Sequence, residues 1–119
     1  YKARARTISN AEIFMDCFAI SECPAEGIES PTIIGAQAAN ELLNIIGMKA
    51  TFVLTPFNGI IYVSARSIDE VNVQVVMEKL GGGGHRTIAG AQLKDMTADQ
   101  AREKLKDVLR AMMEKGDIS

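Results

Sequence analysis

Two β-rich runs, ATFVLTPF at residues 50–57 and IIYVSAR at 60–66, are separated only by Asn58-Gly59. No other feature narrows the fold as much. The tight turn favoured between antiparallel strands needs positive φ at both central positions, and Asn-Gly accepts that at little steric cost. The stretch therefore predicts a β-hairpin. Pro56 cannot donate to a ladder, so its end of the first strand is expected to lie unpaired or at an edge.

The segments around the hairpin alternate in kind. EIFMDCFAIS (12–21) reads as one strand, with Phe14, Asp16, Phe18 and Ile20 on one face and Asp16 as the exception among them. Residues 22–29, with Pro24 and Gly27, read as a loop. Ser30-Pro31 is a helix-start signal, and Ile34, Ala38, Leu42 and Ile45 then share one helical face, which Gly47 would close. A second helix is expected over 70–80, capped by Asp69, stapled by Ile68 against Val73, and facing the core through Val73, Val76, Met77 and Leu80. TIAGAQL (87–93) reads as a short strand. Thr97 and Gln100 have capping-box form, ahead of a last helix that buries Ala101, Leu105, Val108, Leu109 and Met112 and runs to about Lys115.

This order implies a single α/β domain, a mixed sheet of about four to five strands with three helices packed on it. The basic-then-polar residues 1–10 read as a linker or the end of an interdomain helix, ahead of a domain at 11–119. A chain of 119 residues can bury a core without staples. Cys17 and Cys23 form neither a disulfide framework nor a metal-ligand spacing, and are expected to be free thiols of a cytosolic domain. The net charge of −2 draws no anion by bulk electrostatics, so an anion site must come from locally gathered donors. No apolar run of about 18 residues is present, so no membrane contact is expected of this domain. The chain begins without methionine or a signal peptide, and is expected to be a piece of a longer protein.

The stretch EKLGGGGHRTIAG (78–90) is the other unusual feature. Gly81 can close the preceding helix in left-handed conformation. One cap does not explain Gly82, Gly83 and Gly84. Successive amides in such a loop can form a concave cradle for an anionic oxygen, most often phosphate. Because these glycines follow a helix instead of preceding one, the helix dipole opposes an anion there, and loop amides and side chains must hold it. His85, the only histidine, adjoins the cradle and can donate to a phosphate oxygen. Arg66, at the end of the second hairpin strand, can reach a phosphate with its fork of donors, and is as readily a solvated arginine. Arg86 is a weaker candidate. A bland alternative is a structural turn with no ligand.

SARSIDEVNVQVVMEKLGGGGHRTIAG (64–90) resembles the C-terminal, substrate-binding domain of the DHH phosphoesterases, the DHH-associated domain. The matching positions are Ser64, Arg66, Ser67, Gly81, Gly82, Gly83, Gly84, His85, Ala89 and Gly90. Within that superfamily EVNVQVVMEKLGGGGH is most similar to the bacterial cyclic di-AMP phosphodiesterases. The resemblance implies a membrane-anchored parent with sensory modules and a cytoplasmic catalytic pair, hydrolysing cyclic di-AMP to pApA. It implies substrate or phosphate binding by Ser64, Arg66, Ser67, Gly81–Gly84 and His85. It also implies two manganese ions held by an Asp-His-His-bearing domain. This chain has one histidine, so no metal site and no catalytic residue is expected in it. Expected partners are a cyclic dinucleotide or short oligonucleotide, the parent's own DHH domain, and a second copy through the parent. The alternative within the superfamily is a nucleic-acid-binding domain of a single-strand exonuclease or oligoribonuclease. The negative net charge and the few aromatic residues disfavour it.

Overall fold

A computed structural model of the chain describes residues 2–25 and 27–118; Tyr1 of the basic segment, Glu26 of the expected loop and Ser119 lie outside the described residues. The predicted hairpin forms as β3 (Ala50–Phe57) and β4 (Ile60–Ser67), with Asn58 at φ 53° and Gly59 at φ 78° between them. It occupies the middle of a six-stranded mixed sheet of order β1-β2-β3-β4-β6-β5. Pro56 pairs in register with Ile61, but β3's other neighbour ends at Glu22 opposite Leu54. Pro56 thus lies beyond that neighbour, where its missing N–H costs no ladder bond.

The expected strand at 12–21 is two strands. β1 (Glu12–Phe14) and β2 (Phe18–Glu22) form an antiparallel pair around a three-residue turn, with Met15 at φ 55° and Asp16 at φ 65°. Asp16 breaks the face pattern because it sits in a turn. The apolar run passes through that turn without glycine or proline to mark it. Strands β2 and β3 are parallel and are joined by a crossover through α2 (Pro31–Leu42).

Helix α2 starts at Pro31 as expected, although the Ser30 side chain makes no capping bond. It ends at Leu42, before Gly47, which holds φ 92° in the turn that follows. Its buried face is Pro31, Gly35, Ala38, Ala39 and Leu42, while Ile45 is 42% exposed. Small residues win that face because the helix lies close on β3. A Cβ on Gly35 would sit 2.4 Å from Thr55 Oγ1. Residues Lys2–Ser9 form a helix, α1, which packs on α2 and β2, and the hydroxyl of Ser21 donates to the Thr7 carbonyl, both residues buried.

On the opposite face lie α3 (Val73–Lys79) and α4 (Ala98–Lys115). The cap of α3 is Asn72, which accepts from the amides of Gln74 and Val75; Asp69 is instead ion-paired with Arg86 at 3.1 Å. The staple positions around that cap are Val71 and Val76, both fully buried. Thr97 and Gln100 make the predicted capping box. The predicted stripes Val73, Val76, Met77, Leu80 and Ala101, Leu105, Leu109, Met112 meet Phe18, Ile20, Phe52 and Leu54 from the sheet in the main core. The domain is therefore α/β as expected, with six strands and four helices among the described residues. The surplus arises from the divided first strand, the first helix, and two glycines that pair as a strand.

Candidate functional site

Strand β4 alternates strictly. Ile61, Val63, Ala65 and Ser67 are buried, whereas Tyr62, Ser64 and Arg66 share the other face and are half-buried. Their partners on β6 (Ile88–Lys94) are Gln92, Gly90 and Ile88 in register. Helix α2 covers β3 on this face and only reaches β4. The sheet from β4 outward is left open there.

Arg66 is fixed on that open face. Its Nε donates to Asn40 Oδ1 of α2 at 2.9 Å and its Nη1 to the Ala65 carbonyl at 2.9 Å. Nη2 has no partner among the described residues. A guanidinium tethered at two nitrogens loses less side-chain freedom when the third takes an oxyanion. Burial pulls its pKa below the ordinary arginine value, and it remains a cation at physiological pH.

The glycines divide into two pairs. Gly81, at φ 85°, donates to Glu78 O at 3.1 Å, and Gly82 donates to Met77 O at 2.8 Å. These two bonds make a Schellman closure of α3. Gly83-Gly84 is β5, paired antiparallel with Gly90 and Ala89. Glycine is needed there for approach as much as for φ. A Cβ on Gly82 would lie 2.1 Å from Gly90 O, and one on Gly84 would lie 2.6 Å from Ala89 Cα. The expected four-amide cradle is thus revised, since two amides belong to the helix end. His85 N donates to Ile88 O at 2.7 Å, so by ladder alternation Gly83 faces β6 and Gly84 directs its N–H outward. Gly84 keeps the free amide, next to His85, whose exposed side chain makes no hydrogen bond or ion pair among the described residues.

Ser64 lines a cleft of about 520 Å³ with Thr32, Tyr62, Gly82, Gln92 and Lys94. Ser67 does not reach the open face. It is 5% exposed, and its hydroxyl donates to Val71 O at 2.6 Å and Arg86 O at 3.3 Å. Arg86 is turned to Asp69. The structure therefore places Ser64 and Arg66 on the half-open face of β4 and Gly84 and His85 at the β5 edge, and assigns Ser67, Gly81 and Gly82 to the scaffold. Asn40, Tyr62 and Gln92 were missed in the sequence. Period-two spacing from Arg66 finds Tyr62, while Asn40 and Gln92 are tied to the site only by pairing and helix packing. Cys17 and Cys23 are free, and burial raises both thiols, which suits packing better than nucleophilic work.

The DHHA1 domain family matches residues 18–115. This chain belongs to that family. The DHHA1 match runs from the start of β2 to the end of α4 and includes the β3–β4 hairpin and the glycine run. A cyclic-di-AMP phosphodiesterase, PdeA, of Listeria monocytogenes serotype 1/2a (strain 10403S) is 45% identical over 88% of the chain and 16% of its own length. The cyclic-di-AMP phosphodiesterase GdpP of Geobacillus thermodenitrificans (strain NG80-2) is 40% identical over 98% of the chain and 18% of its own length. The DHHA1 chain thus spans under a fifth of either relative. An exopolyphosphatase-related protein from Bacteroides fragilis shares the fold, with TM-score 0.73 at 19% identity over 96% of this chain and 34% of its own. The manganese pair implied by the resemblance does not fit the residues present. Among the described residues no group of three His, Cys, Asp or Glu side chains is placed to hold a metal ion. Nor is any described helix long and apolar enough to cross a membrane.

Proposed function

We propose that this DHHA1 domain binds the phosphate and nucleotide of a substrate that another domain of a longer protein cleaves, and that the substrate is cyclic di-AMP, hydrolysed to pApA. The observation that carries the reading is the similarity, over nearly all of this chain, to part of two cyclic-di-AMP phosphodiesterases. The site supports it. Arg66 offers a spare Nη2 and Ser64 a hydroxyl on the half-open face of β4, while Gly84 offers an outward amide and His85 a free imidazole at the neighbouring sheet edge. Positioning of this kind can supply a large part of a rate enhancement without bond-making chemistry. The two manganese ions belong, on this reading, to a DHH domain of the same protein. Membrane anchorage, with this domain on the cytoplasmic side, belongs to the longer protein in the same way.

The purified 119-residue chain should show no cyclic di-AMP hydrolysis with manganese added; measurable turnover would sink the division of labour. In the full-length enzyme, Arg66→Ala and His85→Ala should lower kcat/KM at unchanged metal content. Loss of a charge-assisted hydrogen bond of about 1.5–3 kcal/mol corresponds to roughly ten- to hundredfold for Arg66. Unchanged kinetics in both variants would remove their assigned roles. A full-length enzyme that prefers short RNA in direct competition with cyclic di-AMP would point to the oligoribonuclease alternative.

A further inference from the structure

The cleft beside Ser64 lies where β5 parts from β6, and it has a recognition edge that the phosphate contacts leave unused. His85 N bonds to Ile88 O, which turns the outer edge of Ile88 toward β5. Alternation by two puts the N–H and C=O of Gly90, Gln92 and Lys94 on that same edge. β5 is only two residues long and pairs no further than Gly90. Past it the chain turns into the closure of α3 at Gly81 and Gly82, which form the opposite wall. Gln92 therefore presents a backbone donor and acceptor side by side into the cleft, with no strand opposite. Its cross-strand partner Tyr62 also lines the cleft, half-buried and on the same face as Ser64 and Arg66. An orphan strand edge next to an aromatic side chain and an open cleft of about 520 Å³ is the chemistry of a flat heterocycle that both donates and accepts.

We propose that this notch is an adenine pocket: the exocyclic N6–H donates to the Gln92 carbonyl, the adjacent ring nitrogen accepts from the Gln92 amide, and Tyr62 supports the base. The inference rests on the nucleotide-binding reading above and adds to it the residues that select the base. Unlike a side-chain contact, the edge is a property of the fold, so composition alone does not reveal it. Aromatic support of a base is sequence-tolerant, whereas the paired donor and acceptor distinguish its edge.

The test is amide NMR of the 119-residue chain with three probes at millimolar concentration: inorganic phosphate, adenosine and N6,N6-dimethyladenosine. Adenosine should shift the amides of Gln92, Ala91 and Gly82, and phosphate those of Gly84 and His85. The dimethyl nucleoside, which has no N6 donor, should bind about fivefold more weakly than adenosine, the equivalent of one net hydrogen bond. Tyr62→Leu should weaken both nucleosides together by about fivefold or more and leave the phosphate shifts in place. Equal binding of the two nucleosides, or a stationary Gln92 amide under adenosine while phosphate still shifts Gly84 and His85, would overturn the pocket and spare the phosphate site. Silence toward both phosphate and adenosine would overturn the nucleotide-binding reading together with the pocket. The nucleoside pair needs no variant, so a Tyr62→Leu chain that failed to fold would not rescue the proposal.

Discussion

The two faces of this sheet are made from the same strands and do opposite work. Toward α3 and α4 the strands present Phe18, Ile20, Phe52, Leu54, Ile61 and Val63, and the helices close over them completely. Toward α1 and α2 the contact is made by alanines, Cys23, Leu42, Met48 and Val53, with buried hydroxyls of Thr51 and Ser21 bonded to helix carbonyls. On that face α2 reaches only as far as β4, and among the described residues no helix packs on β6 or β5 there. Stability is concentrated where side chains are large and water is absent. The proposed binding falls to the other face, where Arg66, Ser64 and Tyr62 stay half-exposed. The separation means that substitutions should sort by face.

The largest expected effect is on the closed face. Leu105→Ala removes a fully buried side chain from the main core and should cost about 2–5 kcal/mol in denaturant unfolding. Phosphate contacts on the open face should survive in the protein that stays folded. If the loss were within experimental error, the closed face would not be the stabilising one.

Gly82→Ala probes the seam between the faces. The new methyl meets backbone atoms of Gly90 and Ala91, which cannot rotate away, so β5 must move off β6. The expected cost is roughly 1–3 kcal/mol, as for overpacking, and it should be accompanied by loss of phosphate-induced shifts at Gly84 and His85. Retained shifts would mean that the strand pairing does not position the loop. Gly83→Ala is the control, because no atom lies within 4 Å of a Cβ there.

The smallest effect belongs to the clamp that ties the β1–β2 hairpin to α4. Glu12 is ion-paired with Arg102 at 2.8 Å and Lys106 at 2.7 Å, and Glu22 with Arg102 at 3.0 Å. The hydrogen bond from Lys106, joined by the one from Arg102, outweighs the cost of burial and holds the Glu12 carboxyl below its ordinary value. A carboxyl with a depressed folded pKa adds stability that is present above its unfolded pKa and fades as pH falls through the folded value. Unfolding followed from neutral pH to below the carboxylate range should therefore lose this contribution, and Glu12→Gln should flatten that part of the profile. Glu12 is 39% exposed, so solvent screening keeps the difference under about 1 kcal/mol. An unaltered profile in the variant would show that the clamp is held by the Phe14 contact with Lys106 and Arg110 instead.

Legibility in the sequence followed the range of the forces involved. The Asn58-Gly59 hairpin, the Thr97–Gln100 box, the Gly81 closure and the helical stripes of α3 and α4 were readable because each is decided within a few residues. The Met15-Asp16 turn was hidden, since two residues took up positive φ without glycine and the apolar pattern ran on across them. Asp69 was read as the cap of α3, but Asn72 caps it, and Arg86, seventeen positions from Asp69, occupies the Asp69 carboxylate. Ser67 matched the family's motif in sequence yet lies on the buried parity of β4.

What the amino-acid sequence determined alone is therefore the element types, the closed-face core and the presence of Arg66, His85 and the glycine run in one neighbourhood. Only the tertiary structure decided which of these donors are free. Amides are identical in sequence terms, and whether one is spent depends on which carbonyl the folded chain brings opposite it. Gly81 and Gly82 lose theirs to α3, Gly84 keeps its own, and Gln92 is left with an unpaired edge because β5 stops two residues short of it.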